Sequence, residues 1–279
     1  MKKFQLGCTL NYTIFQPTTL LFNIQVVNNK CQHILQEHLQ LNPSLQTDEY
    51  ITTREKNRFI RVNAPPGDLA VSYQATVELS PYDAQSIAMP EIPPAQLPIE
   101  ILPYLYPSRY CQSDLLFGLA KSEFGYLSPG YSRVMAICNW IYDKVKYLSG
   151  STDSQTSAYD TATQRSGVCR DFAHLGIAFC RALNIPARFV SAYAYQLNPP
   201  DFHACFEAYL DDRWYLFDPT RLVPLTGIIR ISTGRDAADV SFSTLFGTVE
   251  MNQMNLVVED ISEDGKNQNP DEVYAIAID

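Results

Sequence analysis

Three side chains, Cys169, His203 and Asp218, are of types and at spacings that could carry nucleophilic chemistry. Cys169 opens a run to Leu183 in which Phe172, Ala173, Gly176, Ile177 and Cys180 recur at i, i+3 and i+4, the pattern of a helix. Gly167 permits a sharp approach to that helix, and Asn184 and Pro186 end it. A cysteine in the first turn meets free backbone N–H groups and the positive end of the helix dipole, which favour a thiolate. An apolar, buried helix would hold the sulfur rigidly. The stretch alone reads equally as a core helix that begins with a cysteine, because free cysteine is among the most buried residue types.

Downstream, Asp201 to Leu210 alternates like a half-buried strand, and Arg213 to Asp218 is a second one. Asp211-Asp212 between them makes a two-residue hairpin turn, although glycine is preferred at its second position. With that turn Cys205 pairs with Asp218, and His203 lies diagonal to Asp218 on the same face. Diagonal neighbours are roughly 7 Å apart at the backbone, within reach of an imidazole and a carboxylate. Pro219 ends the second strand. A His–Asp pair and a helix-mounted cysteine that could face it form the nucleophile, base and orienter of thiol acyl transfer. Spacing alone does not bring the helix end to that sheet face. The Cys169 N–H, at a helix start, is a natural oxyanion donor, and no second donor is legible.

Other candidates read as structural. Five helical steps put His174 about 140° around the helix from Cys169, pointing away from the thiol. The same geometry disfavours a zinc site of Cys169, His174 and Cys180, and there is no CxxC pair. His33 and His38 read as strand or surface residues, and Trp140 as core. Arg170 and Asp171 fit either a solvated helix start or a pocket lining. No metal and no cofactor are called for.

The elements that must position these residues follow from the rest of the chain. At 279 residues it exceeds the usual size of one hydrophobic core, which predicts two domains. From Phe4 to Leu79 the segments 20–27, 59–62 and 70–77 are rich in β-branched and aromatic residues, so residues 1–80 are expected to form an antiparallel β-sandwich. Seven prolines within 81–107 predict an extended surface linker without regular structure. The core, 108–279, begins with helices near 113–124 and 131–147 and a short helix capped by Ser157 with Asp160. Segments 227–231, 245–251, 254–258 and 273–278 are strand-like and are expected to extend the sheet carrying His203 and Asp218. Residues 262–271 are polar, with Gly265 and Pro270, and read as a loop.

A net charge of −9 argues against nucleic acid or an anionic membrane as partner, and no apolar run reaches a membrane span. Met1-Lys2-Lys3 before Cys8 lacks the apolar core of a lipoprotein signal and reads as a first strand. Seven cysteines without a pairing pattern point to a reducing, cytoplasmic setting.

The run Gly167 to His174, then Arg181 to Arg188, Phe202-His203-Ala204 and Trp214 to Thr220, resembles the transglutaminase-like superfamily of papain-like cysteine enzymes. Ser108 to Asp114 resembles its bacterial branch, which carries a β-rich domain before the core. The resemblance implies an α+β fold, an N-terminal antiparallel β-sandwich followed by helices packed on an antiparallel sheet. It implies Cys169 as nucleophile, His203 as base and Asp218 as orienter. It also leads one to expect a large aromatic residue where Cys205 stands, a departure that bears on the pocket wall. The function expected is thiol-dependent acyl transfer on a peptide or protein amide, as a cysteine peptidase or amidase. The alternatives are glutamine transamidation, or a binding or scaffold protein that keeps the fold.

Overall fold

The computed structural model describes residues 1–85, 89–262 and 274–278. Its strands are β1 (Lys2–Ile14), β2 (Thr18–Phe22), β3 (Gln32–Asn42), β4 (Thr47–Ile51), β5 (Arg58–Ala64), β6 (Gly67–Leu79) and β7 (Tyr82–Gln85). Helices α1 (Phe117–Phe124) and α2 (Tyr131–Lys144) follow, then β8 (Lys146–Tyr147), α3 (Ala158–Gln164), β9 (Ser166–Gly167) and α4 (Cys169–Ala182). The chain closes with β10 (Ala187–Ala194), β11 (His203–Leu210), β12 (Arg213–Phe217), β13 (Ile228–Gly234), β14 (Ser243–Phe246), β15 (Val249–Asp260) and β16 (Tyr274–Ala277).

Two four-stranded antiparallel sheets, β15-β1-β6-β3 and β14-β2-β5-β4, form the sandwich. Alternation builds it. Phe4, Leu6, Leu10 and Tyr12 on β1 and Leu69, Val71, Tyr73 and Val77 on β6 turn inward onto Leu20, Phe22, Ile60 and Val62 of the facing sheet. A six-stranded sheet, β13-β10-β11-β12-β16-β7, carries the second core, with α4 packed against β10 and β11 and the helices α1, α2 and α3 packed on α4. The mixed α+β architecture is the expected one.

Two strands from the 108–279 stretch pair elsewhere than expected. Strands β14 and β15 return to the sandwich, pairing with β2 and β1 rather than extending the sheet of His203. Leu256 of β15 is buried in the sandwich core, with Met254 and Val258 packed on it. A strand's existence is written locally in its residues. Which open edge it satisfies depends on where the fold leaves unpaired N–H and C=O groups. The expected linker is likewise structured. Strand β7 joins the six-stranded sheet through β16, and 3-10 turns span Pro94–Gln96 and Ile99–Leu105. Leu97, Ile101 and Tyr104 bury themselves against Tyr209 and Trp214. Proline forbids ladder donation but suits the first position of a tight helical turn, and the apolar residues between the prolines supply the anchor. The loop expected at 262–271 lies, beyond Ser262, outside the described residues.

Other local expectations hold. Ser157 caps α3, its N–H donating to Asp160 Oδ2 at 2.9 Å. The hairpin pairs Leu210 with Arg213, and Asp211 and Asp212 both take left-handed φ (45° and 58°), a type I′ turn made without glycine. Among the described residues no helix is long and apolar enough to cross a membrane.

Candidate active site

The structure brings Cys169, His203 and Asp218 together. Cys169 is the first residue of α4, behind Val168 with extended backbone. Asp171 fixes this start. It is fully buried, and its Oδ2 accepts from the Val168 N–H (2.9 Å) and from the Thr152 hydroxyl (2.7 Å). Arg170 bonds Asp171 Oδ1 and the Asp153 carbonyl. The two residues therefore lock the helix start to the loop before it; neither is simply a solvated charge.

His203 opens β11, and Asp218 follows the last residue of β12. The hairpin register holds them diagonal, and His203 Nε2 meets Asp218 Oδ2 at 2.8 Å. The other carboxylate oxygen accepts from the Thr220 N–H (2.9 Å) and hydroxyl (2.7 Å), so the carboxylate cannot turn away. His203 is 1% exposed. With Nε2 committed, Nδ1 is the nitrogen left for the Cys169 thiol. The thiol acts on the ring as a hydrogen-bond partner but is not aligned as in a completed bond. Such pairs tighten when substrate binds. Burial alone would strip the proton from His203. The hydrogen bonds to Asp218 and to Cys169 outweigh it and push the imidazole up to about 10. The thiol therefore faces a ring that stays cationic through neutral pH.

A fourth residue lies at the thiol and was not legible in the sequence. The Tyr147 hydroxyl lies against both the backbone N–H and the sulfur of Cys169, and burial followed by the Cys169 sulfur pushes its pKa up to about 12. Its ring packs on Phe172, 5.7 Å between centroids. The parallel pair β8–β9 sets Tyr147 opposite Gly167, two residues before the cysteine. Two-residue strands leave no periodic signal, so only the pairing reveals it.

His174 points away from Cys169 as predicted; it is buried, stacked on Tyr110 (5.0 Å), and its Nε2 accepts from the Ala237 N–H at 3.2 Å. Cys205 does not border an open cleft. It is fully buried in an apolar cluster with Val190, Leu216, Val223 and Ile276, with Leu197 and Leu225 packed against it. Alternation gave its face correctly but could not show what covers it. His33 and His38 are exposed on β3. No metal-binding cluster occurs among the described residues.

The chain's similarities fit this geometry. The family model of the transglutaminase-like superfamily core matches residues 120–219, and that of the bacterial transglutaminase N-terminal domain matches residues 1–99. A Cytophaga hutchinsonii protein, described as a candidate cysteine protease, has a similar crystal structure. It is 44% identical with a TM-score of 0.93, covering 100% of this chain and 98% of that one. An uncharacterized Mycobacterium bovis protein is 31% identical over 228 residues, 76% of this chain and 69% of its own length. A Mycobacterium leprae relative, also uncharacterized, is 34% identical over 117 residues, 39% of this chain and 42% of its own length. Matched in order by both family models, and similar along its whole length to a solved structure, the chain belongs to the transglutaminase-like superfamily with a bacterial transglutaminase N-terminal domain.

Proposed function

We propose that the protein is a thiol-dependent acyl-transfer enzyme acting on amide carbonyls, with water as acceptor. Cys169 is the nucleophile, His203 the base and Asp218 the orienter. The observation that carries this reading is the chain of contacts from the Cys169 thiol through the His203 ring to Asp218 Oδ2. The thiolate sulfur attacks the carbonyl carbon, and the carbonyl π pair moves to oxygen. We assign the Cys169 N–H and the Tyr147 hydroxyl, which meet each other beside the thiol, as donors to that oxyanion. On collapse the C–N bond breaks, and the His203 Nδ1 proton passes to the departing amine. Water then attacks the thioester as His203 takes its proton, and the carboxylic acid leaves with the thiol restored.

Hydrolysis is favoured by the similarity to a protein described as a candidate cysteine protease. A primary amine entering in place of water would give transamidation by the same steps. All seven cysteines are free thiols, six of them buried, which supports a reducing compartment such as the cytoplasm.

The test is thiol labelling. Below pH 7, Cys169 should react with iodoacetamide faster than the six buried cysteines. His203→Ala should remove most of that advantage, His174→Ala should leave it, and Asp218→Asn should fall between. Equal labelling of Cys169 in wild type and His203→Ala would overturn the reading.

A further inference from the structure

Close to His203 and Tyr147 lies a carboxylate that the chemistry above does not use. Asp201 stands two residues before His203, and the residue between them, Phe202, is an anchor. The Phe202 ring is buried in the sandwich core, stacked on Phe242 at 4.8 Å and tilted against Tyr193 at 5.4 Å. That anchor holds its neighbour in place at the site. The Asp201 carboxylate acts electrostatically on the His203 ring and on the Tyr147 hydroxyl, the two groups that flank Cys169.

Among the described residues this carboxylate forms no ion pair with a lysine or arginine, and the His203 imidazolium acts on it without a direct bond. Its hydrogen bond among them is to the Phe202 N–H at 2.7 Å. The other charges placed near the site are already engaged. Arg170 bonds Asp171 and the Asp153 carbonyl, while Arg221 bonds Asn139 and lies over the Tyr142 ring at 4.2 Å. Asp201 nonetheless remains solvent-accessible, so an incoming group can reach it.

We infer that Asp201 forms a cation-recognising subsite, which selects substrates carrying an ammonium or guanidinium group next to the reacting amide. The inference rests on Cys169 being the nucleophile and names the substrate class for that site. A carboxylate held near the reacting groups attracts a cation and repels an anion by comparable amounts. Partial burial also raises the Asp201 carboxyl above its ordinary range, as expected of a carboxylate waiting for a counter-charge.

Charged methanethiosulfonates test this without a known substrate, because Cys169 is the one cysteine of the seven that is not buried. The wild-type rate should be highest with the 2-aminoethyl reagent, intermediate with the neutral methyl reagent and lowest with the 2-sulfonatoethyl reagent. Asp201→Asn should lower the cation-to-anion rate ratio about tenfold, with the neutral rate within about twofold. Asp212→Asn, at the distal hairpin turn, should change nothing. In turnover, Asp201→Asn should erase a preference for the p-nitrophenyl ester of N-acetyl-lysine over that of N-acetyl-glutamate, read in kcat/KM. A ratio or preference unaltered in Asp201→Asn would overturn the subsite. Failure of the catalytic reading shows separately, as a neutral-reagent rate that does not depend on His203.

Discussion

A Cβ added to Gly176 would sit 2.5 Å from Cε1 of Phe206, so this glycine is what lets α4 lie directly on β11. The contact also sets the register of the site. Seven helical residues separate Cys169 from Gly176, about 10.5 Å of rise. Three strand residues separate His203 from Phe206, about 10 Å. Helix and strand thus advance equally, so the contact of Gly176 with Phe206 keeps the start of α4 level with the start of β11.

Gly176→Ala should therefore act on reactivity as well as stability. Overpacking of this kind costs ~1–3 kcal/mol, readable as a lowered urea midpoint. The alkylation advantage of Cys169 over the buried cysteines should fall with it, because the helix start moves off His203. Phe206→Leu in the same chain should restore part of both, and a double-mutant cycle measures the coupling. Unchanged alkylation in a destabilised Gly176→Ala protein would show that the helix does not set the pair.

The two buried histidines should bend the stability curve in opposite directions. His203 is raised to about 10, from about 6.5 when unfolded, so its contribution is complete below pH 6.5 and is lost as pH rises toward 10. His174 is held well below 6.5, by burial first and then by Arg170 and Arg181. Its contribution is present above pH 6.5 and is lost as pH falls. Urea midpoints measured from pH 5 to 10 should show a flatter alkaline limb in His203→Gln and a flatter acid limb in His174→Gln.

Tyr147→Phe separates oxyanion binding from thiol activation. Removing one donor to an oxyanion costs about 10²–10³ in rate, and the release of p-nitrophenol from p-nitrophenyl acetate should fall by an amount in that range. Alkylation by iodoacetamide forms no oxyanion and should stay within about twofold. Parallel loss of both would assign Tyr147 to thiol positioning instead.

Cys205 should behave as core. Cys205→Ala leaves a small void among Val190, Leu216 and Ile276 and should cost on the order of 1 kcal/mol, with labelling of Cys169 retained. Cys205→Trp has no space to enter and should fail to fold stably, rather than reshape substrate choice. A stable tryptophan variant with altered ester preference would show that this residue does line the cleft.

The grouping of Cys169, His203 and Asp218 was legible because its parts are local. A helix period beginning at Cys169, a two-residue turn at Asp211-Asp212 and strand alternation suffice to put His203 and Asp218 on one face. Period and turn length act over a few residues, where sequence order and spatial order agree. The cap of Asp160 on Ser157 and the outward direction of His174 were readable for the same reason.

What the tertiary structure alone decided were the pairings between distant segments. It placed β14 and β15 in the sandwich, buried Cys205 in a cluster with Val190, Leu216 and Val223 and pinned the proline-rich segment to Tyr209 and Trp214. It set Tyr147 against Cys169 through a two-residue parallel pair, and it laid α4 on β11 through the glycine at position 176. Each of these depends on which backbone edge or apolar surface is left uncovered once the rest has folded. Residue types state that a segment needs a partner; the global packing supplies which one.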